Sequence, residues 1–280
     1  CPFKCIFCCV NFTVKSKVRR HSPEYIVDEM EELVRRYRAR WVWFTDDTFF
    51  VDKKHTAEMC ELIIARGLHR KIKWDAQIRS SLIKEGDVEL LRLMRRASCR
   101  HIDIGFESFN ARMLSVIKGN NIKPEDHHRA IDVVNRAGLK IFGTFILGTP
   151  SETEEEMMET VRHIESYSDQ KKLHFFLVGN MQAYPGTRVY EMAQEKGMIR
   201  GDYIESLRTP GQEHHNVILS DTVPAERVRA AIQRLHWRAF LRIPWTVKVR
   251  WVLSNLFKFP GKVFGGIRWL LSNAGAAVAK

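Results

Sequence analysis

Over its first 200 residues the chain alternates between two hydrophobic patterns, and that alternation restricts the fold more than any other feature. PEYIVDEMEELVRRY, from Pro23, places Ile26, Met30, Leu33, Val34 and Tyr37 on one helical face behind a proline at the start. WVWFTDD follows as a short strand-type run ending in two acids, and KKHTAEMCELIIARG reads as a helix that stops at Gly67. The exchange then recurs. KWDAQIR, HIDIGFES, LKIFGTFILG and LHFFLVGN read as strands; GDVELLRLMRRA, NARMLSVIKG, EDHHRAIDVVNRAG and SETEEEMMETVRHIESY read as the helices between them. Strands reached through helices pair in parallel, so the class is α/β, and the length suits a partial or full barrel. Five strands are read, and a sixth is expected before Cys1. Parallel barrels gather their functional residues where strands end and loops begin. Asp46-Asp47, Arg79, Glu107-Ser108 and Gly148 all stand at or just after such ends.

Apolar and charged fractions of 45% and 28% are those of a soluble globular protein, and 280 residues can bury a sizeable core. The net charge of +12 is uneven. From Pro224 onward there are 11 Lys or Arg and one acid, Glu226, so the first 223 residues carry only +2. This argues against a nucleic-acid-binding body. The alternation decays after about Gly201, which divides the chain into a core over 1–205 and a basic, Trp/Arg-rich helical extension over 206–280. From Trp245, the residues Val249, Val252, Leu253 and Leu256 follow helical spacing, with Lys248, Arg250 and Lys258 largely off that face. An amphipathic basic helix with tryptophans suits a membrane surface, and equally a helix packed on the core. No run reaches the ~18 apolar residues of a membrane span.

Four of the six cysteines crowd into CPFKCIFCCV. Cys1, Cys5 and Cys8 are spaced C-x3-C-x2-C, with Cys9 adjacent. Such a cluster reads as metal-binding or catalytic in a reducing, hence cytoplasmic, compartment. Structural zinc wants four tight ligands, and the candidates for a fourth are only Cys9 and His21. A [4Fe–4S] cube normally takes four thiolates, so three leave one iron open to an external ligand. That is the stronger reading. Cys60 lies on the apolar face of a helix, which reads as packing. His55, His127, His128, His214 and His215 form no spacing that compels a metal site.

The C-x3-C-x2-C run, with Phe7 before its last cysteine, resembles the signature of the radical S-adenosylmethionine superfamily. The resemblance implies a partial (β/α)6, TIM-like barrel, here lacking its first strand. It implies that Cys1, Cys5 and Cys8 hold a [4Fe–4S] cluster whose open iron is chelated by the amino and carboxylate groups of S-adenosylmethionine. In that family the reduced cluster donates an electron, the sulfonium C–S bond breaks, and a 5′-deoxyadenosyl radical takes hydrogen from an unreactive C–H bond. An electron donor such as flavodoxin or ferredoxin is implied as well.

FTDDTFFVD is similar to the family's segment that holds the methionine amino group, which gives Asp46 and Asp47 that role, as an ammonium needs acceptors. IGFES resembles the segment where Glu107 would accept from ribose hydroxyls or the amino group, with Ser108 beside it. GTFILGTPSET resembles the stretch near the adenine, where Gly148 permits close backbone approach. AYPGTRVYE is similar to the run that closes the core. Arg79 would hold the carboxylate of S-adenosylmethionine, or else form a structural salt bridge. Local alternatives stand beside these: Asp46-Asp47 as caps of the helix near Lys53, and Glu107 paired with Arg79 or Arg100.

Together the motifs are most similar to those of members that carry a cobalamin-binding domain before the radical domain. This implies cobalamin, and methyl transfer to an unactivated carbon of a small-molecule or lipid-like substrate. Radical cyclisation or oxidation and tRNA methylthiolation are the enzymatic alternatives, and a non-enzymatic metal-binding module is the last. The methylthiotransferases end in a β-rich RNA-binding domain, and no such strand-and-turn pattern is read here.

Overall fold

The computed structural model describes residues 1–10, 18–199, 203, 218–243 and 245–247. The tail positions Lys248, Val249, Arg250, Val252, Leu253, Leu256 and Lys258 lie outside them, as do His214 and His215. Contacts divide the chain into Cys1–Val223 and Pro224–Lys280.

The first unit repeats helix and strand as the sequence predicts. Helix α1 (Pro23–Tyr37) leads into β1 (Trp41–Trp43), α2 (Lys53–Ala65) into β2 (Lys73–Gln77), and α3 (Val88–Arg96) into β3 (Cys99–Glu107). Two helices, α4 (Ala111–Lys118) and α5 (Pro124–Arg136), precede β4 (Lys140–Leu147). Then α6 (Glu154–Asp169) leads into β5 (Phe175–Asn180), which α7 (Arg188–Glu195) follows. Side-chain caps start several of these helices: Ser22 Oγ accepts the Tyr25 N–H at 3.2 Å and Asp52 Oδ1 the His55 N–H at 3.1 Å. Each such cap contributes about 1 kcal/mol. One helical face differs from expectation. Val27 and Met30 are the buried residues of α1 and Tyr37 is exposed, so the apolar stripe is rotated by one position from Ile26.

The five strands pair in parallel in the order β1-β2-β3-β4-β5 and curl into a half-barrel. Residues alternate across each strand. Ile102, Ile104 and Phe106 of β3 and Ile141, Phe145 and Leu147 of β4 are buried on the helix side. The opposite, concave face carries Trp41, Trp43, His101, Asp103, Phe142, Thr144, Phe175 and Leu177. In the second unit α8 (Ala225–Arg242) starts behind Pro224, as expected, and its buried residues Val228, Ala231 and Leu235 follow helical spacing. No helix among the described residues is long and apolar enough to cross a membrane.

Candidate active site

The cysteine loop has almost no regular structure of its own, and its apolar residues hold it. The Ile6 N–H donates to Ile117 O at the end of α4 (3.0 Å), and Ile6 O accepts from the Val189 N–H of α7 (3.2 Å). Ile6 and Phe7 pack on an apolar cluster that includes Ile117, Met181, Ala183 and Val189. The AYPGT run supplies part of that cluster, and its Thr187 caps α7 by accepting the Tyr190 N–H at 3.2 Å. Anchored between its cysteines, the loop turns back on itself where the Cys8 N–H meets Cys5 O (3.2 Å).

Cys1, Cys5 and Cys8 are free, partly exposed thiols. Cys1 Sγ lies 3.4 Å from Thr48 Oγ1, in the loop after β1. Cys5 Sγ accepts from the Arg79 guanidinium, just after β2, at 3.4 Å. Burial raises the Cys8 thiol, partly offset by the Val10 N–H, and the like charges of Cys5, Asp47 and Cys9 raise it further. The loop therefore sits over the C-terminal ends of β1 and β2, within electrostatic reach of Asp47.

Two observations test which metal group these thiols suit. Among the described residues no three His, Cys, Asp or Glu side chains converge closely enough to chelate a single ion. Zinc would draw its sulfurs to about 2.3 Å from one centre. A cube instead takes its thiolates on separate irons, and a donor set of soft thiols, with no His, Asp or Glu among Cys1, Cys5 and Cys8, suits it. Cys60 and Cys99 are buried, and burial pushes the Cys60 thiol up to about 12 and the Cys99 thiol up as well. Neither belongs to the donor set.

The other predicted residues fall into two groups. Asp46 and Asp47 are exposed in the loop after β1, and the cap of α2 is Asp52 rather than either of them. Arg79 is buried and held from several sides: Phe3 lies 4.2 Å from its guanidinium carbon, Asn121 Oδ1 accepts at 2.9 Å, and Lys118 O at 3.4 Å. It makes no ion pair among the described residues. Glu107 ends β3 in the left-handed region (φ +67°), at a register shift against β4, and is 7% exposed. Its partner is neither Arg79 nor Arg100 but Lys118, 5% exposed, whose Nζ lies 3.4 Å from Glu107 Oε1 and also donates to Gly105 O. A Cβ on Gly105 would overlap Glu107 Oε1, so that glycine makes room for the carboxylate on the concave face.

Ser108 turns elsewhere. Its hydroxyl is buried, lies 3.0 Å from Thr160 Oγ1 of α6, and accepts the Asn110 N–H at 3.1 Å. Gly148 has φ +72°, and its N–H, with that of Thr149, donates to Glu152 Oε2 at 2.7 and 3.1 Å. Burial pushes the Glu152 carboxyl up to about 7 despite those two N–H groups. Its Oε1 and the Thr149 hydroxyl are buried without a partner among the described residues.

A cysteine loop, exposed acids, a buried Arg and a buried Lys–Glu pair thus converge at the C-terminal ends of parallel strands. The model of the Radical SAM superfamily matches residues 1–164 of this chain. The chain belongs to that superfamily. Radical SAM enzymes use a [4Fe–4S] cluster and S-adenosylmethionine, and the thiol arrangement fits the cluster. The chain is 31% identical over 199 residues to an uncharacterized methyltransferase of Pyrococcus horikoshii, covering 71% of this chain and 41% of that one. It is 33% identical over 162 residues to the anaerobic magnesium-protoporphyrin IX monomethyl ester cyclase of Cereibacter sphaeroides, covering 58% of this chain and 26% of that one. The chain thus spans well under half the length of these curated relatives. The fold is similar to that of the cobalamin-dependent S-adenosylmethionine radical enzyme OxsB, with a TM-score of 0.64 at 15% identity, over 96% of this chain and 44% of that one.

Sequence reasoning missed two charged groups of the barrel, one at this end of the strands and one nearer their starts. Lys118 sits at a helix C-terminus, where a lysine is ordinary, so nothing in the sequence marks it. On the concave face His101 stands between two carboxylates, with Nδ1 2.9 Å from Asp75 and Nε2 3.1 Å from Asp103. The indoles of Trp41 and Trp43 donate to the same two acids, Trp43 at 3.2 Å. Burial opposes a charge on His101, but Asp103 and Asp75 outweigh it and push the imidazole up to about 9. The alternation of HIDIGFE hints that His101 and Asp103 share a face; only the register brings in Asp75 from the next strand.

Proposed function

We propose that this chain is the catalytic core of a cobalamin-assisted radical SAM methyltransferase acting on an unactivated carbon of a small-molecule or lipid-like substrate. The observation that carries the reading is the setting of the loop of Cys1, Cys5 and Cys8 beside Asp47, Thr48 and Arg79 at the strand ends. Methyl transfer is supported by the likeness to the Pyrococcus horikoshii methyltransferase, and cobalamin by the likeness to the cobalamin-dependent OxsB. With the chain divided into a core over 1–205 and an extension over 206–280, the extension's described residues Leu241, Ile243, Trp245 and Val247 are exposed, which supports a membrane-surface role for it in a cytoplasmic protein.

Cys1, Cys5 and Cys8 would hold the [4Fe–4S] cluster, and Phe7 anchors their loop. When bound and reduced by a donor such as flavodoxin or ferredoxin, the cluster would supply the electron that splits S-adenosylmethionine into methionine and a 5′-deoxyadenosyl radical. Asp46 and Asp47, exposed beside the cysteines, are acceptors for its amino group. Arg79 is fixed by Phe3 and Asn121 next to Cys5, where its charge suits a carboxylate. Glu107, its charge balanced by Lys118, faces the concave side and accepts from the ribose or the amino group. Ser108 supports that strand end through Thr160. The Gly148 turn, tied by Glu152, gives the adenine a backbone surface without a side chain.

The relative named as a cyclase keeps radical cyclisation as the second reading. The full-length protein, reconstituted without oxygen and reduced with dithionite, is expected to form 5′-deoxyadenosine from S-adenosylmethionine, and a Cys5→Ala variant to form none. A cobalamin spectrum supports the cofactor, and appearance of the labelled methyl group of S-adenosylmethionine in the product selects methyl transfer over cyclisation. Zinc without iron in the purified protein would overturn both.

A further inference from the structure

The first 223 residues carry a net charge of only +2, yet the fold sorts that charge by position. The five junctions where a helix runs down into the next strand are VRRYRAR, ARGLHRKIK, RLMRRASCR, NRAGLK and DQKKLH. Together they hold sixteen Lys or Arg and one acid, Asp169, a net +15. The rest of the first 223 residues therefore carries −13. In a parallel sheet with all crossovers on one side, the five junctions lie at one end, opposite the cysteines.

Helix C-termini favour cations through the macrodipole, which accounts for residues such as Arg35 and Arg96 in last turns. It does not account for Arg40, Lys73, Arg100 and Lys140, which lie past the helices at the strand starts and are exposed. Of the sixteen, Arg36, Arg66, Arg92 and Arg136 pair with carboxylates among the described residues. The others form no ion pair there. Arg92, Arg95, Arg96 and Arg136 line a depression of about 500 Å³, wide enough for a phosphate group.

Exposed aromatics flank this array. Tyr37 ends α1 at 63% exposure, Trp41 starts β1 at 48%, and Phe175 starts β5 at 51%. As β1 and β5 are the two edges of the sheet, these rings span its width. Each has a cation over its face: Arg36 at 5.5 Å from the Tyr37 centroid, Lys73 at 6.0 Å from Trp41, and Lys140 at 5.8 Å from Phe175. Faces already covered by cations are poor platforms for stacked bases. Amphipathic rings beside snorkelling Lys and Arg are what the headgroup layer of a bilayer accepts.

We propose that the strand-start end of the half-barrel is a docking face for anionic phospholipid membranes, with the cysteine end turned away from the lipid. The surface potential of anionic lipid attracts each juxtamembrane cation, and the attraction fades within a Debye length. Binding is therefore steeply salt-dependent.

The test is sedimentation of the full-length protein with vesicles of phosphatidylcholine alone or mixed with phosphatidylglycerol. Wild type is expected to bind only the mixed vesicles and to be released by salt. The variant Arg40→Glu/Lys73→Glu/Arg96→Glu/Lys140→Glu is expected to bind them roughly a thousandfold more weakly. Reversing four cations at the other end, Lys54→Glu/Lys84→Glu/Lys123→Glu/Arg188→Glu, is expected to cost less than tenfold. Where the first variant does not fold, Arg96→Glu alone is expected to weaken binding several-fold. Equal losses from the two fourfold variants would overturn the proposal, because net charge and not this face would then govern binding. Unchanged vesicle binding together with lost RNA binding would overturn it in favour of a nucleic acid.

Discussion

Where its strands begin, the half-barrel repeats one solution; where they finish, no two connections are alike. Each helix-to-strand junction passes through one residue in the left-handed region: Arg38 (φ 53°), Gly67 (68°), Ser98 (74°), Gly138 (74°) and Lys171 (58°). A single such residue closes a helix and turns the chain into the next strand. The strand-to-helix side has a cysteine-contacting loop after β1, two 3-10 turns after β2, a strained glutamate after β3 and a glutamate-tied glycine turn after β4. The repeated end answers to helix geometry and carries the positive charge. The irregular end answers to the groups it must hold, as expected where parallel barrels keep their chemistry.

Changes at the irregular end should therefore reach activity, and those at the repeated end only stability or docking. Lys118→Met is expected to have the largest effect, lowering the unfolding free energy by about 3–5 kcal/mol because Glu107 is left buried without its cation. Urea denaturation checks this, and the double variant with Glu107→Gln should regain most of the loss. Gly105→Ala should act on chemistry instead. By displacing the Glu107 carboxylate it is expected to slow 5′-deoxyadenosine formation about a hundredfold while iron content is retained. At the other end, Lys171→Gly removes a left-handed penalty of about 1–2 kcal/mol and adds about 0.5–1 kcal/mol of glycine entropy. It should stabilise the fold slightly and leave S-adenosylmethionine cleavage unchanged.

Two further expected effects are pH slopes. Asp75 and Asp103 hold His101 protonated in the folded state to about 9, against an ordinary value of 6.5. Their contribution is complete below about 6.5 and is lost as pH rises through about 9. Glu152 titrates at about 7 against an ordinary 4.5, so the fold binds its proton more tightly and loses stability as pH rises from about 4.5 to 7. Denaturation midpoints should show the upper slope disappearing in His101→Gln and the lower one in Glu152→Gln.

Much of the repeated end was legible in the sequence. Periodicity located every strand and the helices between them, because each helix presents one buried stripe and each strand one buried side. Gly67 marked a stop, and Pro23 and Pro224 marked starts. The cysteine spacing marked the loop set over the ends of β1 and β2, because those thiols are adjacent along the chain. Lys118 and the Asp75–His101–Asp103 group were not legible, since their meaning depends on partners brought together by register and helix docking. Charge misled in an instructive way: a body that sums to +2 looks neutral until the fold collects sixteen cations at one end.

The central claim is that three thiolates, and not four, carry the cluster. Its most direct measurement is iron content with electron paramagnetic resonance of the reduced Cys8→Ala and Cys9→Ala proteins, before and after S-adenosylmethionine. The account predicts that Cys9→Ala keeps a [4Fe–4S] signal that changes when S-adenosylmethionine is added, and that Cys8→Ala has none. A cluster lost with Cys9, or retained without Cys8, would contradict it.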